Sequence, residues 1–269
     1  MRPVIVRVHR WIGLLTGPIV LVLGLSGSAL VYREELGSAL DGRPPAVEPA
    51  ASAASLDTAV ASARARYPGA EPRAIRLARS AREPHRIELQ WRGDRVEVWV
   101  DPYRGTVLGS RFPDRSVLVA VHRLHASLHM GRPGSAIVGV LGLLLLVEGA
   151  TGLWLWPPST WRRRRARAHP SRRRPSGGGL HRLLGALTLA VNGLLGLTGA
   201  LLAFAAVTGG PPDGVLAHVR LLHGGGIGGE AVRLAWTLIG VTLPILVVSG
   251  FLLAGSAERA GARRPRTTG

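Results

Sequence analysis

The chain contains no cysteine in 269 residues. Disulfides and thiolate chemistry, for metal or for redox, are thereby excluded. Lysine is absent too, so all 34 basic residues are arginine. Aromatic residues make up 5% and acids number only 16, which leaves a net charge of +18. An excess of that size raises the question of nucleic acid, but the placement of the arginines argues for no nucleic acid. Arg162, Arg163, Arg164, Arg165, Arg167, Arg172, Arg173 and Arg174 fill one short segment between apolar runs. Others flank the two ends: Arg2, Arg7 and Arg10, then Arg259, Arg263, Arg264 and Arg266.

Apolar sequence is abundant. Hydrophobic residues make up 46% and gather in four runs, Trp11–Tyr32, Ser135–Trp156, Leu183–Val207 and Val232–Ala254. About 20 residues of helix cross a hydrocarbon core of about 30 Å, and each run reaches that length. The expected fold is a mainly α membrane protein, a bundle of four transmembrane helices built from two hairpin repeats with a small α+β domain inserted. Basic residues in short loops stay cytoplasmic and also meet anionic lipid. Both termini and the arginine-rich loop are therefore expected in the cytoplasm. The segment from Arg33 to Arg115, with 14 arginines against 12 acids, is expected outside. The predicted layout is helix 1 in 1–34, the outer domain in 35–115, helix 2 in 116–157 and the cytoplasmic loop in 158–180. Helix 3 follows in 181–207, an outer loop in 208–230, helix 4 in 231–255 and a cytoplasmic tail in 256–269. A cleaved leader ending near Ser26-Gly27-Ser28-Ala29 is the alternative for the first run, but the run is long for one and belongs to a repeat.

That repeat is gapless. His9-Arg10-Trp11-Ile12-Gly13 aligns with His181-Arg182-Leu183-Leu184-Gly185 at an offset of 172, and Gly24-Leu25-Ser26-Gly27 aligns with Gly196-Leu197-Thr198-Gly199. The second and fourth runs align at an offset of 98, which pairs His125 with His223, Gly142 with Gly240 and Gly152 with Gly250. Parallel repeats of this kind imply a pseudo-twofold axis along the membrane normal. Of nine histidines the repeat selects four: His9 with His181 at the inner ends, and His125 with His223 toward the outer face. Imidazole is a neutral ligand for iron, copper or zinc, and two histidines from different helices can hold a haem iron from both sides. The competing reading makes His-Arg at a helix end an interfacial anchor.

His122, His125 and His129 share one helical face by spacing, which offers a small metal site as a second possibility. From His125 to Gly152 is about 40 Å if helical throughout, so Gly131-Arg132-Pro133-Gly134 is expected to break the helix, with Gly224-Gly225-Gly226 and Gly228-Gly229 acting likewise after His223. Two polar residues lie within the runs, Glu148 and Asn192. Acids at that depth are costly and often functional. Glu148 either carries a proton coupled to reduction or is a protonated group bonded to a neighbouring helix.

In the outer segment, residues 42–54 read as a linker. Leu56–Tyr67 has helical spacing, and three alternating stretches (Ala74–Leu77, Arg86–Trp91, Arg95–Val100) read as strands. Asp101-Pro102-Tyr103-Arg104-Gly105 is a turn before a short strand at Thr106-Val107-Leu108. His85, beside Pro84, is expected in an exposed loop.

These pieces resemble the PepSY-associated transmembrane family, also described as iron-regulated inner-membrane proteins. The likeness rests on His9-Arg10-Trp11-Ile12-Gly13-Leu14, Leu124-His125, Thr151-Gly152-Leu153-Trp154-Leu155-Trp156, Leu180-His181-Arg182 and Leu222-His223-Gly224. Val100-Asp101-Pro102-Tyr103-Arg104-Gly105 matches the closing signature of a PepSY domain. The resemblance implies a bacterial inner-membrane protein with a periplasmic PepSY domain. Some members are similar to ferric-siderophore reductases. By that resemblance His9 and His181 would ligate one haem b, and His125 and His223 a second. The arginine-rich loop holds no flavin or nicotinamide motif, so the electron donor is expected to be quinol or a separate protein, and the acceptor a ferric siderophore or other ferric chelate. Two other functions compete: a membrane-anchored PepSY module that binds a protein or peptide, and a transporter of iron or a small ligand.

Overall fold

The computed structural model describes residues 1–156, 178–210 and 213–262. The arginine run from Arg162 to Arg174 and the terminal Arg263, Arg264 and Arg266 lie outside the described residues. The chain divides into two compact units, one formed by 1–32 with 122–269 and the other by 33–121.

Among the described residues of the first unit, four helices are long and apolar enough to cross a membrane: α1 (Arg2–Val31), α5 (Gly131–Leu155), α6 (Gly178–Thr208) and α8 (Gly229–Ala262). Their outward faces are apolar. Leu15 and its repeat mate Leu187 are each 71% exposed, which in water would be a liability and against lipid is the rule. The chain is a multi-pass membrane protein.

The backbones meet at glycine. A Cβ built at Gly24 would stand 2.9 Å from the Gly240 carbonyl oxygen, and one at Gly196 would stand 2.9 Å from that of Gly142. Gly24 and Gly196 are repeat mates, as are Gly142 and Gly240, so the same crossing occurs twice. Lipid offers no hydrophobic drive for helix association, and small residues that admit close backbone contact supply it instead. The crossings join α1 to α8 and α5 to α6. Each therefore ties one sequence repeat to the other.

Two short helices precede α5 and α8. They are α4 (Val117–Ser127) and α7 (Asp213–His223). The 116–157 segment is thus two helices, and only the second has the length of a span. The break comes slightly before the expected glycines: Leu128 and His129 take φ of 49° and 60°, and Gly131 follows at 62°. This corrects the supposed His122/His125/His129 face. The helix ends at Ser127, and a left-handed turn carries His129 off that face. After His223, Gly225 and Gly228 adopt φ of 71° and 103°, a conformation that costs glycine little.

The second unit holds α2 (Arg33–Leu40), α3 (Leu56–Arg66) and a four-stranded antiparallel sheet in the order β1 (Glu71–Arg76), β2 (His85–Trp91), β3 (Asp94–Val100), β4 (Val107–Arg111). The Ser55 side chain caps α3 by accepting from the Thr58 amide at 3.1 Å. Ala59 and Ala63 of α3 pack with Ile87, Leu89, Val96, Val98 and Val100 in one core. The turn after β3 is organised by Asp101, which is 2% exposed. Its Oδ1 accepts from the amides of Tyr103 (2.8 Å) and Arg104 (3.1 Å), and Oδ2 accepts from the Arg104 guanidinium. Burial pushes this carboxyl up, but those donors outweigh it and hold the group below its ordinary range. His85 is not the exposed loop residue its neighbour Pro84 suggests. It opens β2, and its Nδ1 accepts from the Ala78 amide at 3.0 Å.

Candidate functional site

The four histidines selected by the repeat form two facing pairs in the membrane unit. His9 of α1 and His181 of α6 have ring centroids 6.3 Å apart with planes at 80°. His125 of α4 and His223 of α7 have centroids 6.1 Å apart with planes at 45°. His125 packs on Gly27 and His9 on Gly152. Along α1, eighteen residues separate His9 from Gly27, which is about 27 Å of helix and nearly the depth of a hydrocarbon core. The pairs therefore sit at opposite ends of the bundle.

Each ring is held by its Nδ1. His9 Nδ1 lies 2.9 Å from Thr151 Oγ1, and His181 Nδ1 lies 2.9 Å from Ser249 Oγ. His125 Nδ1 lies 3.2 Å from Ser26 Oγ, and His223 Nδ1 lies 2.9 Å from Thr198 Oγ1. All four hydroxyls donate to a carbonyl of their own helix: Thr151 to Val147, Ser249 to Leu246, Ser26 to Val22 and Thr198 to Leu194. With the hydroxyl proton engaged, an oxygen lone pair faces the ring, so Nδ1 carries the hydrogen and donates. Two carbonyls, which can only accept, fix the same tautomer: Leu23 at 3.0 Å from His125 Nδ1 and Leu246 at 3.1 Å from His181 Nδ1. In the neutral ring Nε2 then keeps its lone pair. Metal-ligating histidines carry such a partner on the opposite nitrogen. Outside the spans, burial lowers both His125, with the nearby His223 contributing, and His223 itself, which favours the neutral ring a metal needs.

The supporting residues repeat with the histidines. Ser26 maps onto Thr198 and Gly27 onto Gly199 at the offset of 172; Thr151 maps onto Ser249 and Gly152 onto Gly250 at 98. A Cβ built at those glycines would meet the Cε1 of the adjacent histidine at 2.8 Å (Gly27), 3.1 Å (Gly199), 3.4 Å (Gly152) and 3.5 Å (Gly250). The sequence carries these hydroxyls at equivalent positions of both repeats without marking them as partners of the histidines. Their signal was a hydroxyl at equivalent positions in both repeats, one residue before a repeated glycine.

At the His9/His181 end the helices enclose a cavity of about 750 Å³. Gly13, Gly17, Gly149, Gly185 and Gly193 open its walls, and Arg2, Arg10 and Arg182 line it as well. Glu148 and Asn192 both face it. Glu148 Oε2 is 2.7 Å from His9 Nδ1, while its Oε1 is buried without a hydrogen-bond partner. Asn192 donates to Thr188 Oγ1 at 2.8 Å, and its Oδ1 is likewise buried and unpartnered.

The donor set suits a particular kind of ligand. Metal–imidazole bonds of about 2.0–2.1 Å, plus about 1.1–1.2 Å from nitrogen to ring centre, put two rings across one metal about 6.2–6.6 Å apart. The observed 6.3 and 6.1 Å agree to within a few tenths of an ångström. Among the described residues no three His, Asp or Glu side chains converge as a metal site. Two imidazoles alone leave most of a metal's coordination unfilled. A planar macrocycle that brings its own four nitrogens suits such a pair, and at the His9/His181 end the glycine-walled cavity gives it room.

The family described as the PepSY-associated TM region matches residues 6–220. No curated protein matches the chain.

Proposed function

This chain belongs to the PepSY-associated TM family, and on that premise we propose that it is a haem-carrying membrane protein that moves electrons across the bilayer to an outer ferric siderophore or other ferric chelate. The observation that carries this is the pair of facing histidines at each end, every one with Nδ1 anchored and Nε2 open. Haem b bound there supplies a one-electron iron couple. His9 and His181 would hold one and His125 and His223 the other. Thr151, Ser249, Ser26 and Thr198 orient the rings and raise their basicity. Arg2, Arg10 and Arg182 line the first cavity with positive charge suited to the carboxylates of such a cofactor. The helices keep the pairs about one membrane thickness apart.

In the proposed orientation the His9/His181 end faces the cytoplasm of a bacterial inner membrane, with both termini, and the PepSY domain lies in the periplasm. The arginine placement supports that orientation. Quinol or a separate protein is the proposed electron donor; one quinol oxidised to quinone releases two protons and two electrons, enough for two ferric chelates. Proteoliposomes supplied with quinol and an external ferric chelate test this by trapping ferrous iron with a chromogenic ligand. Quinol-dependent ferrous iron that disappears in His125→Ala is the expected result. Its absence from haem-loaded vesicles would overturn the reductase assignment. The second reading, an anchored binding module, draws on the separate core of the 33–121 unit. It predicts that replacing all four histidines by alanine leaves folding and function intact.

A further inference from the structure

The two repeats are matched at the histidines, at the hydroxyls that hold them and at the glycines that follow those hydroxyls, and they part in charge at Glu148. Glu148 of α5 corresponds to Leu246 of α8 at the offset of 98. At His181 the second acceptor on Nδ1 is the neutral Leu246 carbonyl at 3.1 Å, and at His125 it is the neutral Leu23 carbonyl at 3.0 Å. At His9 that place is taken by the Glu148 carboxylate at 2.7 Å. The carboxylate side chain is 16% exposed, and its other oxygen has no hydrogen-bond partner, so the contact to His9 is its anchor.

We infer that Glu148 is a positioning residue that, through His9, lowers the potential of an iron held at the His9/His181 end, against the positive charge of the Arg2, Arg10 and Arg182 that line the same cavity, and so favours electron flow away from that end. The inference rests on the haem assignment above. A carboxylate accepting from Nδ1–H draws the proton toward itself and makes Nε2 a stronger donor than a carbonyl or hydroxyl would. A stronger, more anionic donor stabilises the oxidised metal over the reduced one. Low local dielectric enlarges the effect, because little water is present to screen the charge. The opposite pair carries only neutral Nδ1 acceptors, Leu23 and Ser26 on His125 and Thr198 on His223. The lowered potential favours the passage of an electron entering at His9/His181 onward to His125/His223.

Spectroelectrochemical titration of the purified full chain tests the inference, with haem content measured on each sample. Glu148→Gln should raise one of two midpoints by the equivalent of about a tenfold change or more in relative stabilisation of the oxidised state, about 59 mV for one electron, and leave the other in place. Glu148→Asp should lie between Gln and wild type. The exchange Glu148→Leu with Leu246→Glu returns the carboxylate to the same metal through His181 and should restore the low midpoint, which a packing role for Glu148 does not predict. Two haems per chain with unmoved midpoints in Glu148→Gln overturn the inference and leave the haem assignment standing. A wild-type chain that binds no haem overturns both.

Discussion

The anchoring hydroxyls give a prediction whose size follows from the geometry. Thr198 is 4% exposed, donates to the Leu194 carbonyl and stands 2.9 Å from His223 Nδ1. Thr198→Val keeps the shape and removes the acceptor, which leaves a buried N–H unsatisfied at a cost of about 1–3 kcal/mol. Losing such a partner typically lowers metal affinity by about 10–100-fold. The equivalent change at the other histidine of the pair, Ser26→Ala, should be milder. His125 Nδ1 retains the Leu23 carbonyl at 3.0 Å, and the Ser26 contact is the longer one at 3.2 Å. About 0.5–1.5 kcal/mol is expected there, the ordinary net worth of one hydrogen bond. Thr198→Ser restores the acceptor and should behave as wild type. The assay is the rate at which haem transfers from the detergent-purified protein to an excess of apoglobin. Faster loss in Thr198→Val than in Ser26→Ala, with Thr198→Ser unchanged, is the predicted order. Wild-type retention in Thr198→Val, or the reverse order, would refute the anchoring role.

Other predictions concern glycine and the turn carboxylate. Gly27→Ala places a Cβ 2.8 Å from His125 Cε1, whereas Gly250→Ala meets His181 Cε1 at an ordinary 3.5 Å; the first should cut haem content toward half and the second should leave it intact, as read by the pyridine haemochrome. Gly142→Ala sets a Cβ 2.6 Å from the Gly196 carbonyl oxygen and should destabilise the bundle by about 1–3 kcal/mol, seen as a lower Tm in detergent. Asp101→Ala should weaken the 33–121 unit by about 1.5–3 kcal/mol, detected as faster hydrogen exchange at the Tyr103 and Arg104 amides. Because the folded carboxyl titrates below its unfolded value, this contribution is present above about pH 4 and is lost as pH falls through the folded value; in Asp101→Asn that acid sensitivity of exchange should be missing.

Much of the bundle is legible in the sequence because bilayer thickness and backbone hydrogen bonding leave few solutions. A run such as Ser135–Trp156 has one sensible fate, and α5 meets it. The sheet is legible for a similar reason: Arg95–Val100 alternates, and Val96, Val98 and Val100 are fully buried in β3, although Glu97 and Trp99 on its other face are buried as well. Pairing of helices was not legible. Repeats suggest hairpins, yet the Gly24–Gly240 and Gly142–Gly196 crossings join the repeats to each other, and only three dimensions show which glycines meet. The histidines stood out because imidazole is rare chemistry repeated at two offsets. Ser26, Thr198, Thr151 and Ser249 did not, since hydroxyls in membrane helices commonly bond their own backbone, as these also do. Glu148 was visible as a buried acid, but its partner, 139 positions away in the sequence, was not.

A dithionite-reduced minus oxidised visible spectrum of the purified chain, combined with a haem-to-protein ratio, addresses the central claim most directly. The account predicts a low-spin b-type spectrum at two haems per chain, falling to one in either His9→Ala or His223→Ala and to none when the two are combined. A wild-type protein expressed with haem supplied, correctly folded and free of haem, would contradict it.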